Sequence, residues 1–206
     1  MRRFLVILLL FPLMALAAPA PRGPLLVLGD SLSAAYRIAP EQGWVALLQR
    51  RLHERDATEL LVNASISGET TAGAVARLPT LLAEQRPRLV LLELGANDAL
   101  RGLPLEEIRA NLRRLVRDTR AAGAQVLLLG IEIPVNYGPQ YRDGLRAVYR
   151  DVAAEFNVPL VPFLLEGVAQ DERLLQEDGL HPRAEAQARV LDNVWPVLAP
   201  LLARRR

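Results

Sequence analysis

The sequence predicts an α/β fold with a parallel sheet covered by helices on both faces. Three observations carry that expectation. Short apolar runs alternate with amphipathic stretches along nearly the whole chain after residue 24. Within the runs the apolar residues are continuous, as in Leu25-Leu26-Val27-Leu28 and Leu89-Val90-Leu91-Leu92. Strands buried on both faces need such runs, whereas half-exposed strands alternate. The polar residues of chemical interest fall just after the runs, at the strand ends where such folds bind ligands.

The elements follow in order. Residues 25–29 read as a first strand. A helix is expected over 43–55, where Trp44, Leu47, Leu48 and Leu52 recur at helical spacing. A second strand covers 60–64 and a second helix 71–85, with Val75, Leu78, Leu81 and Leu82 on one face. The third strand spans 89–94. Pro104 opens a helix over 105–122 that places Ile108, Leu112, Leu115 and Val116 together. A fourth strand over 125–133, a helix over 141–156, a short fifth strand over 160–163 and a last helix over 183–202 complete the pattern. This alternation builds βαβ units with right-handed crossovers. A doubly wound order of 2-1-3-4-5 is assumed from it, with a switch point between the first and third strands. One domain is expected over 24–203, without repeats, low-complexity segments or linkers.

The composition bounds the function. The chain has 206 residues, 51% of them hydrophobic, which is ample for one core and argues against disorder. It contains no cysteine, so disulfides and thiolate chemistry are excluded. All 25 basic residues are arginines, interspersed with acids and clustered only in the tail Arg204-Arg205-Arg206. No nucleic-acid partner is expected from that distribution. At the N-terminus Arg2-Arg3 precede an apolar stretch over 4–16, and Ala15-Leu16-Ala17 offers small residues for cleavage. Residues 1–17 are therefore read as a secretory signal peptide, cut after Ala17, and the protein as periplasmic. The stretch is short for a membrane span and Pro12 interrupts it.

The candidate chemistry centres on Gly29-Asp30-Ser31-Leu32-Ser33, directly after the first run. A serine hydroxyl becomes a nucleophile only when a base takes its proton. Two histidines are available. His53 lies on a charged helical face and reads as a surface residue. His181 lies in the loop Asp178-Gly179-Leu180-His181-Pro182 and reads as the base. Asp178, three residues earlier, is placed either to orient the imidazole or only to make a turn with Gly179. Attack on a carbonyl creates an oxyanion, and a preorganised donor can contribute about 10²–10³ in rate. The Ser31 N–H, the Gly68 N–H and the Asn97 side-chain amide are the candidate donors. Gly68 and Asn97 also read as a turn glycine and a helix cap. Ser33 is the nearest rival nucleophile, while Ser65 and Ser67 suit local backbone bonds. No Gly-x-Ser-x-Gly elbow or phosphate-binding glycine loop is present, and the histidine and cysteine counts argue against zinc.

These blocks, with Gly95-Ala96-Asn97-Asp98, resemble the SGNH (GDSL) hydrolases in order and spacing. Val62-Asn63-Ala64-Ser65-Ile66-Ser67-Gly68-Glu69-Thr70, Ala76-Arg77-Leu78-Pro79, Leu92-Glu93-Leu94-Gly95 and Asn136-Tyr137-Gly138 are similar to the periplasmic thioesterase I/protease I/lysophospholipase branch. The resemblance implies a flavodoxin-like three-layer α/β/α sandwich, no cofactor or metal, and hydrolysis of acyl esters, aryl esters, acyl thioesters and lysophospholipids. It gives Ser31 as nucleophile, His181 as base, Asp178 as orienter, and Ser31, Gly68 and Asn97 as oxyanion donors. Ala96 and Ala99 stand where relatives often carry glycine, so the loop over 99–103 is expected to edge the acyl site in a stiffer form. Leu100, Leu103, Ile133, Pro134 and Tyr137 are the expected apolar contacts for an acyl chain. The protein is expected to be monomeric, with no stable membrane span. A carbohydrate acetyl-esterase and a non-catalytic binding module on the same fold are the competing readings.

Overall fold

The computed structural model describes residues 23–203. The expected leader over 1–17 and the arginine tail lie outside the described residues. Five strands form one sheet: β1 (Leu25–Gly29), β2 (Leu61–Asn63), β3 (Leu89–Glu93), β4 (Gln125–Leu129) and β5 (Leu160–Val161). Their order is β2-β1-β3-β4-β5, and every neighbouring pair is parallel. The helices are α1 (Trp44–Arg55), α2 (Thr71–Gln85), α3 (Ala96–Leu100), α4 (Leu105–Ala121), α5 (Pro139–Phe156) and α6 (Gln187–Ala203). α1 packs on α6, while α4 packs on both α2 and α5. The two groups cover opposite faces of the sheet, so the expected three layers and strand order are present.

Burial follows from that layering. Every residue of β1 and β3 is buried, as are the last four of β4. Leu25, Leu26, Val27, Leu28, Val90, Leu91 and Leu92 are fully enclosed. Each such leucine or valine contributes about 1.5–3 kcal/mol by leaving water. α4 buries Ile108, Leu112, Leu115 and Val116 on the face foreseen from their spacing. Glu106 and Glu107 in its first turn and Arg120 in its last complement the helix dipole.

The register aligns the strand ends. β1 pairs with β3 from Leu25↔Leu89 to Gly29↔Glu93, so both strands stop side by side. The chain leaving β1 carries Asp30 and Ser31, and the chain leaving β3 carries Leu94, Gly95 and then α3. Gly95 adopts φ 117°, a left-handed geometry that glycine tolerates and other residues resist. It caps α3 and turns the chain across the sheet end. The buried Tyr149 of α5 donates its hydroxyl to the Leu94 carbonyl at 2.8 Å and closes over this corner.

Some boundaries differ from the sequence expectation. β4 stops at Leu129 although the apolar run continues to Ile133. Gly130 still bonds Val161 through its N–H, but β5 has only two residues, so residues 131–134 have no strand to pair with and leave the sheet. Pro162 lacks an N–H and ends β5 early. The five-residue α3 is too short to show a helical period. α6 starts at Gln187, after a 3-10 turn over Ala184–Ala186, rather than at 183.

Gly95→Ala tests the corner. The added Cβ would overlap the Tyr149 hydroxyl and sit at an unfavourable φ. The expected loss is about 2 kcal/mol or more, read from denaturant midpoints. An unchanged midpoint would contradict this account of the turn.

Candidate active site

β1 delivers the first group. At its end Asp30 is fully buried and its carboxylate Oδ1 accepts the Leu32 N–H at 3.0 Å. Its carbonyl accepts the N–H groups of Ser33 and Ala34 at 3.2 and 2.9 Å. This tight turn leaves Ser31 partly exposed at its start. Ser33, the rival serine, is buried and donates its hydroxyl to Glu93 Oε2 at 2.8 Å.

His181 arrives from the far end of the chain, on a loop closed by its own backbone. Leu175 and Pro182 form an isolated antiparallel bridge, and the Gln176 N–H donates to the His181 carbonyl at 2.8 Å. The Gln176 side-chain amide donates to the Tyr36 carbonyl at 2.9 Å, which ties the loop to the segment after Ser31. His181 Nε2 then stands 2.7 Å from Ser31 Oγ, and its Nδ1 stands 2.8 Å from Asp178 Oδ2. Asp178 uses its two oxygens for different contacts. Oδ1 accepts the Leu180 and His181 N–H groups at 2.9 and 3.0 Å and makes the turn, while Oδ2 meets the imidazole. Burial pushes the Asp178 carboxyl up, but these N–H groups and the imidazole outweigh it and hold the group below the usual aspartate range. A carboxylate at Nδ1 puts the ring proton there and leaves the Nε2 lone pair facing the serine. The Tyr36 ring lies against the imidazole, with centroids 4.5 Å apart. Hydroxyl, imidazole and carboxylate in this order can move a proton off Oγ. His53 lies apart, exposed on α1 beside Gln49.

The candidate oxyanion donors converge on the same edge. Gly68 has φ 83° in the exposed turn before α2. Among the described residues, the backbone N–H groups of Ser31 and Gly68 meet no acceptor. Asn97 differs. Gly95 occupies the cap position of α3, so Asn97 is not the cap. Its Nδ2 donates to Asp30 Oδ2 at 3.0 Å and to the Glu69 carbonyl at 2.9 Å. Asn97 can therefore meet an oxyanion only by sharing or exchanging one of these bonds. Thr71, at the start of α2, donates its N–H and hydroxyl to the buried Asp98 at 2.9 and 2.5 Å, which locks the Gly68 turn to α3.

The expected acyl contacts divide. Ile133 and Pro134 line a cavity of about 750 Å³ beside the His181 loop. Phe163, Leu165, Leu175 and Leu180 add to its apolar wall, and Arg142, Arg183, Glu132, Glu172 and Glu177 stand among its polar lining. Sequence reasoning missed these four. Only Leu180, next to His181, carried a signal that could have found it. Tyr137 lines a separate recess of about 540 Å³ with Leu105 and Tyr141. Leu100 and Leu103 are half-buried, and their carbonyls accept the hydroxyls of Tyr137 and Tyr141 at 2.8 and 2.5 Å. The loop over 99–103 is thus tied down by two tyrosines. No group of three or more His, Asp or Glu placed to hold a metal occurs among the described residues.

Two buried carboxyls lie under the serine turn. Burial drives Asp30 from 3.8 up to about 6, and Glu93 rises well above the ordinary glutamate value for the same reason. A raised carboxyl pKa stabilises the fold fully below the unfolded value, and that stabilisation is lost as the pH climbs through the folded value. Stability contributed by Asp30 should therefore fall between about pH 4 and pH 6. In Asp30→Asn the fall over this window should shrink by up to about 3 kcal/mol, measured by denaturation across pH. Parallel curves for variant and wild type would contradict the assignment.

Comparison with known proteins gives the family. Residues 27–189 match the GDSL-like Lipase/Acylhydrolase family. The esterase TesA of Pseudomonas aeruginosa is 52% identical over 190 residues, covering 92% of this chain and 94% of that protein. The thioesterase 1/protease 1/lysophospholipase L1 of Escherichia coli is 44% identical over 178 residues, covering 86% of this chain and 84% of that one. A crystal structure of TesA superposes with a TM-score of 0.84 at 53% identity, covering 86% of this chain and 99% of that one. The chain belongs to the GDSL-like lipase/acylhydrolase family, the SGNH hydrolases, and is an ester hydrolase.

Proposed function

We propose that this enzyme cleaves carboxylic esters and acyl thioesters through an acyl-enzyme on Ser31. The observation that carries this reading is the continuous path from Asp178 through His181 to Ser31, at 2.8 and 2.7 Å, beside the Ser31 and Gly68 N–H groups, which meet no acceptor among the described residues. His181 Nε2 takes the Ser31 proton as Oγ attacks the acyl carbon. The carbonyl π electrons move to oxygen, and the Ser31 and Gly68 N–H groups receive the charge. Asn97 joins them by giving up its bond to the Glu69 carbonyl. Collapse breaks the bond to the alcohol or thiol, which leaves with the proton from His181. Water then attacks the acyl-enzyme by the same route and frees the acid. The Ser31 and Gly68 N–H groups, aimed beforehand at the developing charge, need no rearrangement when it forms.

The cavity beside the His181 loop supports an acyl substrate with a hydrocarbon tail. Ile133, Pro134, Phe163, Leu165, Leu175 and Leu180 give one part of its wall an apolar surface for such a tail, and Arg142, Arg183, Glu132, Glu172 and Glu177 make the rest polar. Lysophospholipids and acyl thioesters meet that description, and the thioesterase and lysophospholipase names of the Escherichia coli relative are in keeping with it. Arg2-Arg3 and the apolar stretch after them support export to the periplasm with cleavage after Ala17.

Ser31→Ala and His181→Ala should each lower turnover of p-nitrophenyl butyrate by about 10⁴–10⁶. Ser31→Ala should also abolish covalent labelling by a fluorophosphonate. Near wild-type rates in either variant would remove the mechanism. Ala169→Phe places a ring at the exposed edge of the cavity. It should lower kcat/KM for long-chain acyl esters by about tenfold or more and leave butyrate nearly unchanged. Equal effects on both chain lengths would move the acyl site elsewhere.

A further inference from the structure

Glu93 is the last residue of β3, fully buried under the Ser31 turn, and the mechanism above does not use it. Its Oε2 accepts two bonds from that turn, the Asp30 N–H at 3.2 Å and the Ser33 hydroxyl at 2.8 Å. Its Oε1 is buried and meets no donor among the described residues. Burial raises the Glu93 carboxyl, and the Asp30 carboxyl is close enough that its charge raises it further. Asp30 already accepts the Leu32 N–H on one oxygen and the Asn97 amide on the other. Among the described residues, the charged and titratable groups facing the pair are Asp98 from α3 and the Tyr149 hydroxyl from α5, and neither is a cation. Two neighbouring buried carboxylates without a cation cannot both stay ionised, so one must keep a proton.

We propose that Glu93 is a positioning residue, a neutral carboxylic acid that donates to the Asp30 carboxylate while accepting from the Asp30 N–H and the Ser33 hydroxyl. The acid thereby fixes both ends of the serine turn. Through Asp30 it also holds the Asn97 amide at the oxyanion position. The direction of the pKa shifts agrees, since burial and the Asp30 charge both favour the protonated form of Glu93. This assignment rests on the reading of Ser31 as the nucleophile, but the proton on Glu93 can be observed without turnover.

The test compares the wild-type chain with Glu93→Gln and Glu93→Leu. Glutamine keeps the shape, accepts with its oxygen and donates with its nitrogen, so Glu93→Gln should keep most of the wild-type kcat and rate of fluorophosphonate labelling. Leucine leaves the Asp30 N–H and Ser33 hydroxyl without an acceptor. Glu93→Leu should lose about 10²-fold in kcat with little change in KM, the scale expected when reacting groups are slightly misplaced. Infrared difference spectra at neutral pH should show the C=O stretch of a protonated carboxyl in the wild type and its loss in Glu93→Gln. The proposal is overturned if Glu93→Gln is as impaired as Glu93→Leu, or fails to fold. It is also overturned if the protonated band is absent from the wild type or persists in Glu93→Gln. If Glu93→Leu does not fold, the glutamine variant and the infrared band decide alone. Activity retained by Ser31→Ala would remove the nucleophile reading and leave the infrared result standing.

Discussion

The pairing of β1 with β3 in one register, ending at Gly29↔Glu93, is the constraint on which the rest depends. Both strands are buried on both faces, so their hydrogen-bond ladders have no competing partner in water. A slip of one residue would turn every side chain to the opposite face. The Ser31 turn and the start of α3 are carried on these two ends. Ser31 and Asn97 therefore come together because two apolar runs stop at the same height. The Asp30–Asn97 bond and the Asp30–Glu93 contacts then join the two exits directly.

A second requirement is set by distance along the chain. His181 must reach Ser31 across 150 residues, and no strand carries it there. Its loop is held instead by an isolated bridge at Leu175↔Pro182 and by Gln176, which reaches the Tyr36 carbonyl. Asp178 turns the loop with one oxygen and orients the imidazole with the other. Local folding and site geometry are the same interactions here, which limits the freedom of the imidazole before substrate arrives. The Tyr36 ring adds a wall on one side.

The polar groups under the site show how costly burial is used. Asp98 is buried, yet it satisfies the first turn of α2 through Thr71 and so links the Gly68 turn to α3. Buried polar groups of this kind are tolerated when their partners are complete, and they specify one arrangement. Burial alone would disfavour the charged carboxyls, and the hydrogen bonds decide where each group must sit.

Much of this was legible in the residues. Continuous leucine and valine runs fix strands buried on both faces, and helical spacing such as that of Ile108, Leu112, Leu115 and Val116 fixes the buried stripe of α4. The motif residues after the strands marked Ser31, Gly68 and Asn97, and the loop motif before the last helix marked the Asp178–His181 pair. What pattern could not supply was long-range. It did not reveal α3, whose five residues are too few to show a helical period. It carried the fourth strand to Ile133, because apolar residues in a strand and in a buried loop look alike until a neighbouring strand runs out. Phe163, Leu165 and Leu175 meet Ile133 only through the tertiary fold, so no local period announces the cavity they line. Nor could it show that the Asn97 amide is already bonded twice, or that Glu93 lies under Asp30. Sequence patterns report which face of an element avoids water, and contacts between distant elements are settled only when those faces pack.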